Sequence, residues 1–280
     1  MADQSPVYPD LRGKIVLLTG IGQVGPPDNE IWGNGATISL SFARNGAKVF
    51  GCDINLEAAK ATKSRIEGLV PEAVVDVMAA DATKSEQVES FVQECVKKHG
   101  RIDVLVNNVG VSQPGGPAEM TEQVWDSQVD VNLKSVYLTS HFVLPIMEVQ
   151  GSGAVVSISS LVGTRYAGKP QVAYAATKAG VIQFTKHTAV IYAKKGVRLN
   201  VVLPGLMLTP LVEAIAHKYG DGNYESMVQT RHGQVPTGKM GTSTDVANAV
   251  VFLSSHVAAG YITGQRLVVD GAISSSTGRT

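Results

Sequence analysis

With 280 residues, of which 44 % are hydrophobic, the chain is long enough to bury one large α/β core, and a single domain is the simplest organisation. Its 24 Lys and Arg balance 24 Asp and Glu, so no global field draws it to nucleic acid or to an anionic membrane. The start MADQSPVYPDLRGK lacks an apolar signal core and no run approaches ~18 apolar residues, while Cys52 and Cys95 lack metal-ligand spacing and read as core thiols, which together predict a soluble cytoplasmic protein with no metal site.

In chain order, Lys14 to Thr19 reads as a buried strand and Ala36 to Asn45 as a helix that Gly46 ends. A strand follows at Lys48 to Asp53, a helix around 55–68, a strand at 74–79, a helix at about 85–99 and a strand at 102–106. The pattern continues with a long helix around 122–148, a strand at 153–158, a helix carrying Tyr174 to about 194 and a strand at 197–202. An irregular segment with helix runs to about 238, followed by a helix at 243–255 and a strand at 266–269. This alternation predicts a doubly wound parallel sheet with right-handed crossovers and helices on both faces, and a ligand beyond the strands' carboxyl ends. The small polar residues from Ala272 to Thr280 read as a poorly ordered tail.

Tyr174 and Lys178 stand four residues apart in AYAATKAG, a spacing that stacks a phenol and an ammonium on one helix face. A cation close to a phenol stabilises the phenolate and makes its proton transferable near neutral pH. The strand before this helix ends in hydroxyls at Ser159 and Ser160. The strand at 104–107 ends in Asn107-Asn108-Val-Gly110, and Asn132 follows in the next helical segment. Together with Asp81, Pro204-Gly205 and the run Thr263-Gly264-Gln265…Val269-Asp270-Gly271, these motifs resemble the short-chain dehydrogenase/reductase family along nearly the whole chain.

The resemblance implies a Rossmann-type fold and hydride transfer between a nicotinamide dinucleotide and a secondary alcohol or ketone. Tyr174 would be the acid/base, Lys178 would bridge the nicotinamide ribose and lower the Tyr174 pKa, Ser160 would polarise the substrate oxygen, and Asn132 would hold a relay water. Ser160 and Asn132 also have plainer readings, as a turn residue and a helix cap. Fourteen positions separate Ser160 from Tyr174, one more than the family pattern, so the loop Leu161 to Ala173 is expected to bulge, with Ser159 as the fallback. By the same resemblance Asp81 and Ala82 meet the adenine, Asn108 and Gly110 line the cofactor site, the Pro204-Gly205 segment brings Met207 to the carboxamide, and Thr209 touches phosphate. Asp81 reads equally well as a helix cap.

Two glycine registers compete after the first strand. Gly20-Ile-Gly22-Gln-Val-Gly25 is a literal G-x-G-x-x-G, but Pro26-Pro27 follows it and helical pattern starts only after Gly33-Asn34-Gly35. Asp53 lies 20 residues beyond Gly33 and 33 beyond Gly20, and the ribose-binding acid belongs ~20 residues on. Gly20, Gly33, Asn34 and Gly35 are therefore read as the working turn, with 21–32 as an excursion that is either a surface loop or a lid. An acid at Asp53, with no Lys or Arg in the excursion or in 54–58, selects NAD over NADP. Residues 206–238, with His217, Tyr219, Tyr224, Met227, Arg231 and His232, read as a substrate lid. Gln113, Pro114 and Tyr166 are expected to flank the pocket, and Trp32 and Trp125 to pack. Dehydrogenation of a cyclic diol, or cofactor sensing without turnover, are the alternative functions; the family further suggests a homotetramer, or a dimer.

Overall fold

The structure, a computed structural model, describes residues 6–25, 30–210, 212 and 224–277. Pro26, Pro27, Asp28, His217, Tyr219, much of the expected lid and the last three residues lie outside the described residues. Among the described residues nine strands form: β1 Ile15–Thr19, β2 Lys48–Asp53, β3 Val74–Ala79, β4 Val104–Asn107, β5 Gly153–Ile158, β6 Val197–Pro204, β7 Met207–Leu208, β8 Gly241–Thr242 and β9 Arg266–Val269. The α-helices described are α1 Asn34–Arg44, α2 Leu56–Leu69, α3 Ser85–His99, α4 Glu122–Val129, α5 Ser135–Gln150, α6 Val172–Tyr192, α7 Tyr224–Gly233, α8 Ser243–Ser254 and α9 His256–Ala259.

Seven strands make one parallel sheet in the order β3-β2-β1-β4-β5-β6-β9. The direction of winding reverses between β1 and β4, and a crevice opens beyond their carboxyl ends. Every residue of β1 is buried, because helices cover both faces. Alternation divides them: Val16 and Leu18 join one apolar cluster with Ile38, Phe42 and Val250, while Ile15 and Leu17 join another with Phe91, Leu105 and Met147. Cys52 and Cys95 are buried thiols of this core. Trp32 packs against the first cluster, whereas Trp125 stands 40 % exposed on α4, contrary to its expected packing role.

Two local differences bear on the site. The expected single helix over 122–148 is interrupted by a π turn, Asp130–Lys134, whose extra residue per turn aims Asn132 inward. The segment expected as a loose tail forms a turn at Ile273–Ser275, anchored by Asp270, whose carboxylate accepts from Ala272 N (2.9 Å) and Ser274 N (2.7 Å).

Candidate active site

A cleft of about 400 Å³ lies beyond β1, β2 and β4. Its floor is the turn between β1 and α1. Gly20 adopts a left-handed φ of +74°, and Gly33 is the N-cap of α1, so the helix begins where the second glycine register places it. A Cβ on Gly35 would lie 1.9 Å from Gly20 O, so only glycine lets the helix head approach the turn this closely. Asn108 clamps the same turn, donating from Nδ2 to Gly20 O at 2.9 Å. The excursion folds back on this floor: Gln23 Oε1 accepts from Gly33 N (3.1 Å), and Gly22 N donates to Asp53 Oδ2 (3.0 Å).

Asp53 closes the cleft at the end of β2, its other carboxylate oxygen accepting from Asn55 N at 2.9 Å. Asn55, not Asp53, caps α2. Asp81 and Ala82 line the opposite side, and the Asp81 carboxylate accepts from both Thr83 N and Thr83 Oγ1. No Lys or Arg is among the described residues that line this cleft. Arg65 borders the neighbouring hollow, where its guanidinium stacks 4.0 Å over Trp32.

Gly110 joins this cleft to the second half of the site. A Cβ there would sit 3.0 Å from Lys178 Nζ and 3.3 Å from Asn132 Oδ1, so the ammonium and the carboxamide stand directly behind the cleft wall. Lys178 is buried and donates to Ile158 O at 2.9 Å; no carboxylate pairs it among the described residues. Burial lowers its pKa to about 8. Its Nζ lies 5.7 Å from the Tyr174 ring centre. Burial pushes the Tyr174 phenol up, and the Ser160 hydroxyl, hydrogen-bonded to the phenol oxygen, partly opposes this. The lowering of the phenol expected from Lys178 is not seen in this arrangement: burial raises the phenol, and Ser160, not Lys178, opposes the rise.

Ser160 also accepts from Val162 N, which starts the short turn Leu161–Gly163 and absorbs part of the extra loop length. Its neighbour Ser159 faces away, donating to Lys178 O at 2.8 Å, and so braces α6 instead of meeting the phenol. Asn132, fully buried, accepts from Val111 N (2.8 Å) and donates to Val111 O (2.9 Å) and Thr177 Oγ1 (3.3 Å). It therefore ties the chain after β4 to α6.

Residues 31–274 match the family described as enoyl-(acyl carrier protein) reductase. The chain is 36 % identical to the 3-oxoacyl-[acyl-carrier-protein] reductase of Thermotoga maritima, across 94 % of this chain and 98 % of that protein. It is 33 % identical to levodione reductase of Leifsonia aquatica, across 94 % and 95 %. A crystal structure from Burkholderia xenovorans, described as a short-chain dehydrogenase/reductase, superposes with a TM-score of 0.89 at 42 % identity, covering 95 % of this chain and 98 % of that one.

The chain belongs to the short-chain dehydrogenase/reductase family.

Within that family the departure is local. The family match begins at residue 31, after β1 and most of the excursion, which is where the glycine turn is split. On the opposite side, Pro204 ends β6, Gly205 N donates to Val269 O (2.9 Å), and Met207 pairs with Gly241 in a short two-stranded ladder. Thr209 and Pro210 complete the cleft rim. Of the expected lid residues that are described, Arg231 is half-buried on α7 and His232 Nδ1 accepts from Met240 N at 2.8 Å. Gln113, Pro114 and Tyr166 are exposed, Tyr166 by 71 %. The sequence offers Ser159 only as the fallback for its neighbour, and it gives no sign of Gln23, which lies in the other glycine register, or of Thr177 beyond its place one residue before Lys178.

Proposed function

We propose that the protein is an NAD-dependent oxidoreductase that interconverts a secondary alcohol and a ketone, with Tyr174 exchanging the proton at the substrate oxygen. One observation carries this reading: the ammonium of Lys178 is buried without an acidic partner among the described residues, directly behind the cleft wall at Gly110. A buried cation needs acceptors, and ribose hydroxyls meet that need. The cleft itself suits a dinucleotide. Asn34 Oδ1 and Gln23 Nε2 are buried there without a protein partner, and the close approach at Gly35 turns the free N–H groups of the α1 head towards the space a pyrophosphate would take.

When bound, the nicotinamide group supplies or accepts the hydride. The chain's own residues manage charge and placement. Tyr174, protonated at neutral pH by its raised pKa, gives its proton to a carbonyl oxygen in reduction and must be deprotonated for oxidation. Ser160, beside the same phenol oxygen, would turn its one hydroxyl proton to the substrate oxygen and polarise it when substrate binds. The family resemblance assigns Asn132 to the proton path behind Lys178, and its bridge between Val111 and Thr177 supports a role in shaping that path.

Preference for NAD is supported by Asp53 at the end of β2 and by the lack of Lys and Arg along the described cleft lining. Relatives named for reducing a 3-oxoacyl group and levodione fit a carbonyl substrate. A panel of ketones and alcohols followed by nicotinamide absorbance tests the reading. Turnover with NADH should exceed that with NADPH by at least ~10-fold in kcat/KM. Equal efficiency with NADPH would refute the Asp53 role, and no turnover of any member would reject the activity. We also propose a homotetramer, or a dimer, since Tyr137 on α5 and Val190 and Ile191 on α6 leave large apolar side chains exposed.

A further inference from the structure

The loop between Ser160 and Tyr174 is fastened firmly at its ends. At the start, Ser160 and Leu161 accept the bonds that close the short turn. At the end, Gly115 N donates to Pro170 O (2.8 Å), Val172 N donates to Gly115 O (3.2 Å), and Gln171 Nε2 donates to Ser112 Oγ (2.6 Å). Between Thr164 and Pro170, the hydrogen bonds that reach the rest of the described chain come from one side chain. Arg165 Nη1 donates to Ile273 O at 2.6 Å and to Ser276 O at 3.2 Å, more than a hundred residues away.

The segment Arg165 holds is itself a junction. Asp270 fixes its turn through Ala272 N and Ser274 N, and Ala272 takes a left-handed φ of +71°, unusual for a side-chain-bearing residue. Gly271 is pressed against the end of the lid, where an added Cβ would lie 2.5 Å from Val235 Cγ1 and 2.7 Å from Thr237 Oγ1. Gly205 abuts the same turn, since a Cβ there would lie 2.6 Å from Asp270 Cβ and 3.2 Å from Leu161 Cδ2. Three stretches therefore converge on residues 270–276: the loop 161–171 that leads into the Tyr174 helix, the Pro204-Gly205 bend and residues 235–237.

We propose that Arg165 is a positioning residue for the substrate site, clasping residues 270–276 to the 161–171 loop so that this segment sets the distance between loop and lid. The guanidinium, with several donors in a fixed fork, holds two carbonyls of a turn that would otherwise present them to water. It touches neither the dinucleotide cleft nor Tyr174, so its effect falls on substrate fit. The inference rests on the oxidoreductase reading above for what the site binds, but the clasp itself is measurable without turnover.

The test compares wild type with Arg165→Ala, Arg165→Lys and Gly271→Ala. Arg165→Ala should raise substrate KM ~5-fold, as loss of its two exposed charge-assisted hydrogen bonds allows, with kcat and the Kd for NADH within about twofold of wild type. Arg165→Lys, which retains a donor, should recover most of the loss. Gly271→Ala should raise KM likewise, by displacing the turn from Val235. By hydrogen exchange, Arg165→Ala should accelerate amides in 161–171, 235–240 and 270–276 together. An unchanged KM would overturn the proposal, as would faster exchange confined to 273–276, or a parallel loss of NADH affinity and thermal stability. Should the wild type turn over no alcohol or ketone, the oxidoreductase reading fails while the exchange pattern still decides the clasp.

Discussion

Lys178 and Tyr174 illustrate how one burial acts on two protonation states in opposite ways. Taking the ammonium out of water lowers its pKa from 10.5 to about 8, and taking the phenol out of water raises its pKa above 10.0. Between about 8 and 10.5 the unfolded chain therefore binds more protons at Lys178 than the folded one, and stability rises with pH across that window. Tyr174 has the opposite sign, because the folded state keeps its proton longer, so it opposes the gain once pH passes 10.0. Because the buried Cys52 and Cys95 thiols, pushed up by burial, lower the midpoints of both proteins alike as pH rises, urea midpoints from pH 8 to pH 10 should gain in wild type relative to Lys178→Met. A Lys178→Met slope equal to that of wild type would show that the ammonium is not desolvated as described. The pair's spacing was legible in the sequence. The direction of the phenol's shift was not, because it depends on how much water the folded chain removes from around the phenol oxygen.

At the scale of elements, the strand and helix alternation marked nearly every segment of the sheet, since buried apolar strands and amphipathic helices leave different periods in the sequence. The start of α1 just after Gly33 was also legible, from Pro26-Pro27 and from the distance to Asp53. The π turn at Asp130–Lys134 was not, because one added residue per turn changes no residue type, and neither was the anchoring of 270–276, which depends on Arg165 more than a hundred positions earlier. Gly163 shows what else pattern reading passes over. Its turn rests on α6 itself, so that a Cβ would lie 2.8 Å from both Ala179 N and Lys178 C, atoms of backbone that cannot swing aside. Gly163→Ala should therefore cost ~1–3 kcal/mol of stability, in the range of overpacked cores, and lower turnover by moving Ser160 away from the phenol. A denaturation midpoint and a kcat both equal to wild type would show that loop and helix are not in register as described.

For the whole molecule, the winding reversal at β1 and β4 opens the crevice, and α6 together with the π turn before α5 brings Tyr174, Lys178 and Asn132 to that end of the sheet. Helices α5 and α6 also expose Tyr137, Val190 and Ile191, which a partner copy would bury. Light scattering should give a mass of four chains, or two; a monomer across the working concentration range would remove that proposal. The central claim is that Tyr174 is the proton-exchanging group for hydride transfer and not a structural phenol, and one paired measurement on Tyr174→Phe addresses it: NADH affinity by titration, and turnover on a ketone that wild type reduces. NADH should bind as in wild type while turnover falls by ~10²-fold or more, the range of a lost general acid. Turnover at the wild-type rate would contradict it.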